Sequence, residues 1–291
     1  MPPVLAVPIQ PSIDISFLLI EKGHAMSPDE GFVLMGCCAV AVGRGAWRAR
    51  LVFLPSPLFS PLWMRCVVMG MPVAALLVLL AILRAWAAHD VRESGAYLAL
   101  YVAMGAVFLI GWNALAAMLG CFPRSDIVER GNAAAIPMYV AVTLAGTLCF
   151  GGANIGEGPG WWVVVFCAGL TLAAFFLIWS VVEAVLRFEE RVTVDRDAAA
   201  AWRISSFLVA LGMILGRAVA GDWHSADATC VDFMTNAWPA IVLAGVFVGV
   251  ELMLRRMVRA PGAPSVAQSM CVAALFPLAS MGWLWILGDP R

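Results

Sequence analysis

The chain has 291 residues, of which 63% are apolar and only 13% are charged. Soluble domains average about half apolar and about a quarter charged residues, so this composition excludes an ordinary water-soluble globular protein. The formal net charge of −1 gives no basis for binding nucleic acid. We therefore expect most of the chain to lie in hydrocarbon, with the lipid bilayer as its first partner.

Residues 1–30 are the least apolar part of the N-terminal half. Pro8, Pro11, Asp14, Glu21 and Lys22 interrupt any apolar stretch in this segment. There is no basic segment followed by an apolar run and a small-residue cleavage site, which a removable signal peptide needs. The segment is predicted to be an extramembrane arm.

Eight apolar stretches follow, and most are long enough to cross about 30 Å of hydrocarbon as a helix. They predict an all-α, polytopic membrane bundle that forms a single membrane domain over residues 31–291. The first stretch is the shortest and carries Arg44, so an interfacial helix remains an alternative there. The predicted spans are about 31–47, 64–86, 96–120, 133–153, 161–186, 199–220, 238–254 and 266–287.

The arginines are distributed unevenly between alternate loops. Thirteen of the eighteen basic residues lie at or near the connections between spans one and two, three and four, five and six, and seven and eight. The positive-inside rule puts these connections in the cytoplasm. The expected location is therefore the bacterial cytoplasmic (inner) membrane, with both termini outside.

A short element occurs twice at a spacing of 65 residues. Asn132 is followed by three alanines at the start of the fourth span, and Asp197 is followed by three alanines at the start of the sixth. Asn and Asp are common helix N-caps, and small residues allow helices to pack closely in membranes. Gly151 and Gly216 lie 19 residues after these caps. The pattern predicts repeated parallel two-helix hairpins, at about 31–86, 96–153, 161–220 and 238–287.

At these residues the chain resembles a bacterial inner-membrane family known as domain of unknown function three-fifty. In that family an Asn-(Thr or Ala)-Ala-Ala element opens the second helix of each paired hairpin. The resemblance covers roughly residues 96–223, and this chain differs by having Asp197 in place of the second Asn and by its additional hairpins. The resemblance implies duplicated membrane hairpins and an inner-membrane location. It implies nothing about chemistry, because the activity of that family is not established.

The sequence contains no hydrolase, zinc or phosphate-loop motif, so we expect no enzyme activity and no cofactor. The cysteines fall mostly inside apolar runs, where they act as small hydrophobes. His89, His224 and Asp222 are weak candidates for a metal site on the outer side, but they lack ligand spacing. Solvated loop residues are the favoured interpretation of all three.

Ionisable and strongly polar residues inside spans are the default indicators of function in membrane proteins. Glu183 and Glu251 each precede an arginine by four residues, which favours structural anchors at the membrane boundary. Arg217 has no upstream carboxylate at helical spacing, so it either extends to the surface or faces a polar cavity. Asn113 is adequately explained by an interhelical hydrogen bond.

Two classes of function are compatible with these features. A non-catalytic scaffold or subunit of an envelope membrane complex is favoured, because nearly all charges lie at span ends; it would associate with itself or with other membrane subunits. The alternative is a transporter or channel for a small solute or ion, with a pathway between hairpins that uses Arg217, Glu183 or Asn113. A polar cavity beside Arg217 would favour the transporter.

Overall fold

A computed structural model describes residues 26–53, 60–258 and 266–288. In this part of the chain there are nine α-helices and no β-strand. Two π-helical turns, Pro123–Glu129 and Glu190–Val194, lie between helices. The helices are α1 (Pro28–Phe53), α2 (Leu62–Trp86), α3 (His89–Glu93), α4 (Gly95–Met118), α5 (Ala135–Gly152), α6 (Trp161–Leu186), α7 (Ala198–Val219), α8 (Ala226–Val258) and α9 (Val266–Leu287).

All the described helices except the short α3 are long and apolar enough to cross a membrane. These eight helices confirm the predicted all-α membrane bundle, and the chain is an integral membrane protein. The first span is a 26-residue helix, α1, that packs along α4. It is longer than the predicted stretch at 31–47 and has sufficient length for a full crossing. Most of the predicted arm lies outside the described residues.

The seventh span begins much earlier than predicted. Helix α8 starts at Ala226, twelve residues before the expected start at Trp238. Its first turns carry Asp227, Asp232 and Asn236, which lower the local hydropathy below that of a lipid-facing segment. Of these residues, Asp232 and Asn236 line a polar cavity.

Helices α5 and α7 form the centre of the bundle. In their most apolar 18-residue windows, 72% and 67% of the residues are buried, against 17% in both α8 and α9. Helices α2 and α4 pack against α5, while α6, α8 and α9 pack against α7. The outer helices therefore present apolar faces to lipid, and α5 and α7 are shielded from it.

Small residues allow α5 and α7 to approach each other backbone to backbone. A methyl group added to Gly212 would lie 2.7 Å from the Cα of Ala145, and one added to Gly216 would lie 2.5 Å from the carbonyl oxygen of Leu148. A methyl group on Gly152 would meet the backbone of Gly216. Close approach of this kind replaces the hydrophobic effect as a source of helix association in lipid.

The two π-helical turns precede similar helix starts. The N–H of Asn132 donates to the carbonyl of Asp126, and 65 residues later the N–H of Asp197 donates to the carbonyl of Arg191, both at 2.9 Å. Asp197 is the N-cap of α7 as predicted, but the N-cap of α5 is Ala134, so the predicted cap at Asn132 is wrong by two residues. Gly131 and Arg196, which precede Asn132 and Asp197, have left-handed backbones with φ of 61° and 55°. The side-chain oxygens then accept backbone N–H groups, of Ala134 for Asn132 and of Ala200 for Asp197.

The bundle has two ends, which we name by their content. The arginine face is the end at which α1, α4, α6 and α8 finish and α2, α5, α7 and α9 begin. The opposite face carries α3 and the connections 153–160 and 220–225.

Candidate functional site

A polar cavity of about 910 Å³ opens at the opposite face, above the ends of α5 and α7. Its walls come from α3, α4, α6, α8, the ends of α7 and α9, and the two connections of that face. Tyr101 on α4 and Cys167 on α6 are among its lining residues. Each lies six residues inside its helix, which corresponds to about 9 Å of helical rise.

Hydrogen bonds between the two connections shape the rim of the cavity. The N–H of Gly221 donates to the carbonyl of Ile155 at 2.9 Å, and the N–H of Trp223 donates to the carbonyl of Glu157 at 2.8 Å. The Asp222 carboxylate accepts the N–H of Glu157 at 2.8 Å. These bonds hold the carboxylates of Glu157 and Asp222 at the same rim.

The charge of the lining is predominantly negative. Four carboxylates line the cavity, together with one guanidinium, Arg217, and one imidazole, His224. The carboxylates belong to Asp90, Glu157, Asp222 and Asp232. A cavity with more carboxylates than guanidinium groups favours solutes that carry positive charge.

Asn154 contributes a buried acceptor to the cavity wall. Its side chain is 6% exposed, and its Nδ2 donates to the carbonyl of Phe150 at 2.7 Å. This bond fixes the orientation of the amide, because the flipped amide would bring two oxygens together. Its Oδ1 is buried and has no hydrogen-bond partner among the described residues. A buried amide oxygen without a partner costs free energy.

Arg217 lies on the cavity wall near the end of α7, which is the second of the two positions expected from the sequence. Its Nη2 donates to the carbonyl of Gly288 at 3.2 Å. This bond holds the end of α9 beside the cavity. The guanidinium therefore both closes one wall and contributes the positive charge of the lining.

At the arginine face, a cluster of charges joins α7, α8 and α9. Glu251 on α8 is fully buried and forms an ion pair with Arg203 on α7, which is 4% exposed. Arg203 also donates to Ser269 on α9 at 2.9 Å. Arg191 bridges Glu251 at 3.1 Å and Asp197 at 2.6 Å. We name Arg191, Asp197, Arg203, Glu251 and Ser269 the charge cluster.

Two carboxyl groups between the spans have displaced pKa values. Burial raises the pKa of Asp126, and the N–H of Phe122 and the charge of Arg130 only partly offset it. Burial is also the largest single influence on Asp197. There, however, the N–H of Ala200 and the guanidinium of Arg191 outweigh burial and lower the pKa below its ordinary value.

The structure separates the three residues predicted to share a pathway. Arg217 lines the large cavity, whereas Glu183 lines a shallow pocket at the arginine face and Asn113 lines a groove between α1, α2 and α4. Glu183 accepts the N–H of Glu189 at 2.8 Å, so it caps the turn after α6. Asn113 donates to the carbonyl of Leu109 and accepts from Thr143 at 3.2 Å.

The repeat residues differ in their neighbours. Gly216 faces α5, but Gly151 faces Ile82 of α2, and Gly152 instead meets Gly216. Asn132 donates its Nδ2 to the carbonyl of Val192 at 2.7 Å. The carboxylate of Asp197 has no N–H to donate and accepts from Arg191 instead. The Asn and Asp side chains therefore each suit the partner at their own position.

The weak metal candidates do not come together. His89 binds Glu93 at 3.0 Å, while His224 and Asp222 lie on the cavity rim. Among the residues that the structure describes, no group of three or more His, Cys, Asp or Glu side chains is arranged to hold a metal ion.

Two features of this site were not predicted from the sequence. The Arg203–Glu251 pair joins residues 48 positions apart, and the predicted partner of Glu251, Arg255, lies farther away at 4.0 Å. The role of Asn154 and Asp232 in the cavity was also missed. The polar residues at the start of α8, Asp227, Asp232 and Asn236, are a signal that could have indicated Asp232.

Comparison with known proteins gives no match to a protein family, to a curated protein or to a solved structure.

Proposed function

We propose that this protein is a membrane transporter that binds a small, positively charged polar solute in the cavity at the opposite face. The observation that carries the proposal is the cavity of about 910 Å³ beside Arg217, at the ends of the two central helices. Its volume lies within the range of small-molecule sites, about 300–1,000 Å³. Transporters built from repeats commonly bind substrate between them.

The lining supports a cationic solute. The carboxylates of Asp90, Glu157, Asp222 and Asp232 attract positive charge. The guanidinium of Arg217 repels a simple cation. We therefore expect the solute to place a hydrogen-bond acceptor or a neutral group beside Arg217.

Transport requires a conformational change, because the cavity is closed toward the arginine face. The α5 and α7 backbones touch below the cavity, and the charge cluster ties α7 to α8 and α9. Helix α7 carries Arg217 near one end and Arg203 near the other, 14 residues or about 21 Å apart. Helix α7 therefore contacts both the solute site at the opposite face and the charge cluster at the arginine face.

Binding to the purified protein in detergent tests the proposal. Putrescine and choline should raise its thermal unfolding midpoint, while succinate and glutamate should not. Asp232→Asn should weaken the effect of the cations, and Asp227→Asn on the same helix, which does not line the cavity, should leave it unchanged. In liposomes, Arg217→Gln should abolish flux of the solute that binds. The proposal fails if no cation shifts the midpoint, or if Asp232→Asn and Asp227→Asn behave alike.

We further propose that the arginine face is cytoplasmic, in a bacterial inner membrane, with both termini outside. The uneven arginine distribution supports this orientation. Protease that has access to the periplasm of intact cells should not cleave within the segment from Arg187 to Arg203. The resemblance to the family of unknown function remains a prediction, and the proposal assigns no catalysis to the chain.

A scaffold or oligomerising subunit is the second candidate, and one observation favours it. Gly245 and Gly249 form a Gly-x-x-x-Gly pair on α8, and a methyl group on either would meet nothing within 4 Å. Such pairs allow close helix association in membranes. Gly245→Ile should disrupt an oligomer seen by crosslinking in membranes, and Gly169→Ile, at an equally open position on α6, should not. Equal crosslinking of both variants would exclude this interface.

A further inference from the structure

A second cavity lies between α1, α2 and α4, at their arginine-face ends, with a volume of about 450 Å³. Its walls are mostly aliphatic and include Leu51, Leu76 and Leu109. Ala106 marks its inner end, twelve residues or about 18 Å of helical rise before α4 finishes. The groove therefore extends from the membrane boundary well into the hydrocarbon.

Three guanidinium groups line the boundary end of this groove. They belong to Arg44, Arg48 and Arg124, and Trp47 lies beside them. Arg44 and Arg48 are one helical turn apart on the same face of α1. No carboxylate is among the residues that line the groove, so its charge is strongly positive.

The three arginines differ in their interaction partners within the protein. Arg124 pairs with Glu129 at 2.9 Å, and Arg48 donates to the hydroxyl of Tyr139 at 2.7 Å. Arg44 has no hydrogen bond or ion pair with any residue that the structure describes. A guanidinium exposed at this depth, one turn inside Arg48, is costly in lipid unless an anion or water accompanies it.

We propose that this groove binds an anionic phospholipid of the adjoining leaflet. The phosphate lies among Arg44, Arg48 and Arg124, and an acyl chain lies along the aliphatic walls of α1, α2 and α4. Basic pockets between transmembrane helices recognise anionic headgroups in this way, and arginine binds phosphate through paired N–H groups. The long apolar wall commits the site to a lipid, since a free phosphate would leave that wall empty.

This site is separate from the solute cavity and does not depend on transport. Its lining shares no residue with the large cavity, and it lies at the other face of the bundle. Lipid binding here would join α1, which is the least buried of the eight long helices, to α2 and α4.

Titration of the purified, delipidated protein tests the proposal. Phosphatidylglycerol should raise the thermal unfolding midpoint more than phosphatidylcholine. Arg44→Gln should increase the half-saturating concentration of phosphatidylglycerol roughly fivefold, and the double change with Arg124→Gln should increase it roughly 25-fold. Arg50→Gln is the matched control, because Arg50 lies on the same helix outside the groove and should leave the titration unchanged.

A second variant tests whether the acyl chain of the lipid binds, in addition to its headgroup. Ala106→Phe fills the apolar end of the groove and should abolish the effect of phosphatidylglycerol. Three results would overturn the proposal: equal stabilisation by phosphatidylcholine, equal effects of Arg44→Gln and Arg50→Gln, or full stabilisation by water-soluble glycerol phosphate that Ala106→Phe does not alter. The last result would assign the arginines to a free phosphate.

Discussion

Replacing Gly216 with alanine should separate the two central helices and destabilise the protein. The added methyl group would lie 2.5 Å from the carbonyl oxygen of Leu148, whereas ordinary van der Waals contact begins at 3.4 Å. The α5 and α7 backbones must therefore move apart by about 0.9 Å at this point. Gly152 and Ala145, which line the same contact, would lose their close approach as well.

The magnitude follows from comparison with an open glycine. Gly169 on α6 has nothing within 4 Å of an added methyl group. Alanine is favoured over glycine in a helix by about 1 kcal/mol at both positions, so this contribution cancels in the comparison. What remains is the overpacking at Gly216, typically about 1–3 kcal/mol. Gly216→Ala should therefore be less stable than Gly169→Ala by about 1–3 kcal/mol.

Reversible unfolding by sodium dodecyl sulphate in mixed micelles gives this difference, with tryptophan fluorescence as the signal. Both variants are compared with the wild type at the same detergent composition. If Gly216→Ala is as stable as Gly169→Ala, the backbone contact between α5 and α7 does not exist as described.

Three further predictions concern the charge cluster, its pH dependence and the cavity. Glu251→Gln leaves Arg203 without its charge partner and should cost about 3 kcal/mol or more in the same unfolding assay, whereas the exposed Arg256→Gln should change stability by less than about 0.5 kcal/mol. The lowered pKa of Asp197 contributes stability that is complete above the ordinary value of 3.8 and is lost as pH falls through the lower folded value. Wild type should therefore lose more stability than Asp197→Asn between pH 5 and pH 3, and equal losses would contradict this. In a background without native cysteines, a membrane-impermeant thiol reagent should label Asn236→Cys, which lines the cavity, but not Thr235→Cys, which does not. No labelling of Asn236→Cys would show that water does not enter beside α8.

The sequence predicts the eight spans well because most of them bury or present to lipid a continuous apolar surface. The predicted span at 161–186 coincides with α6, and the last span coincides with α9. The prediction of where α8 starts is wrong for the same physical reason. Hydropathy records the average environment of a segment, and α8 begins beside a polar cavity rather than in lipid.

The functional residues were harder to predict because their meaning depends on distant partners. Arg217 was identified as a candidate for a cavity, and it does line one. Glu251 was assigned to Arg255, four residues away on the same helix, because helical spacing is the only geometry that a sequence shows directly. Its closer partners, Arg203 and Arg191, are 48 and 60 residues away.

The backbone contact between α5 and α7 limits how this protein can change shape. Interlocked backbones without intervening side chains cannot slide or rotate without first separating, so the central pair behaves as a fixed pivot. If the protein is a transporter as proposed, opening toward the arginine face would come from the peripheral helices, among them α8 and α9, moving around this pair. Such a movement of α8 would have to break the Arg203–Glu251 pair, which joins α8 to α7.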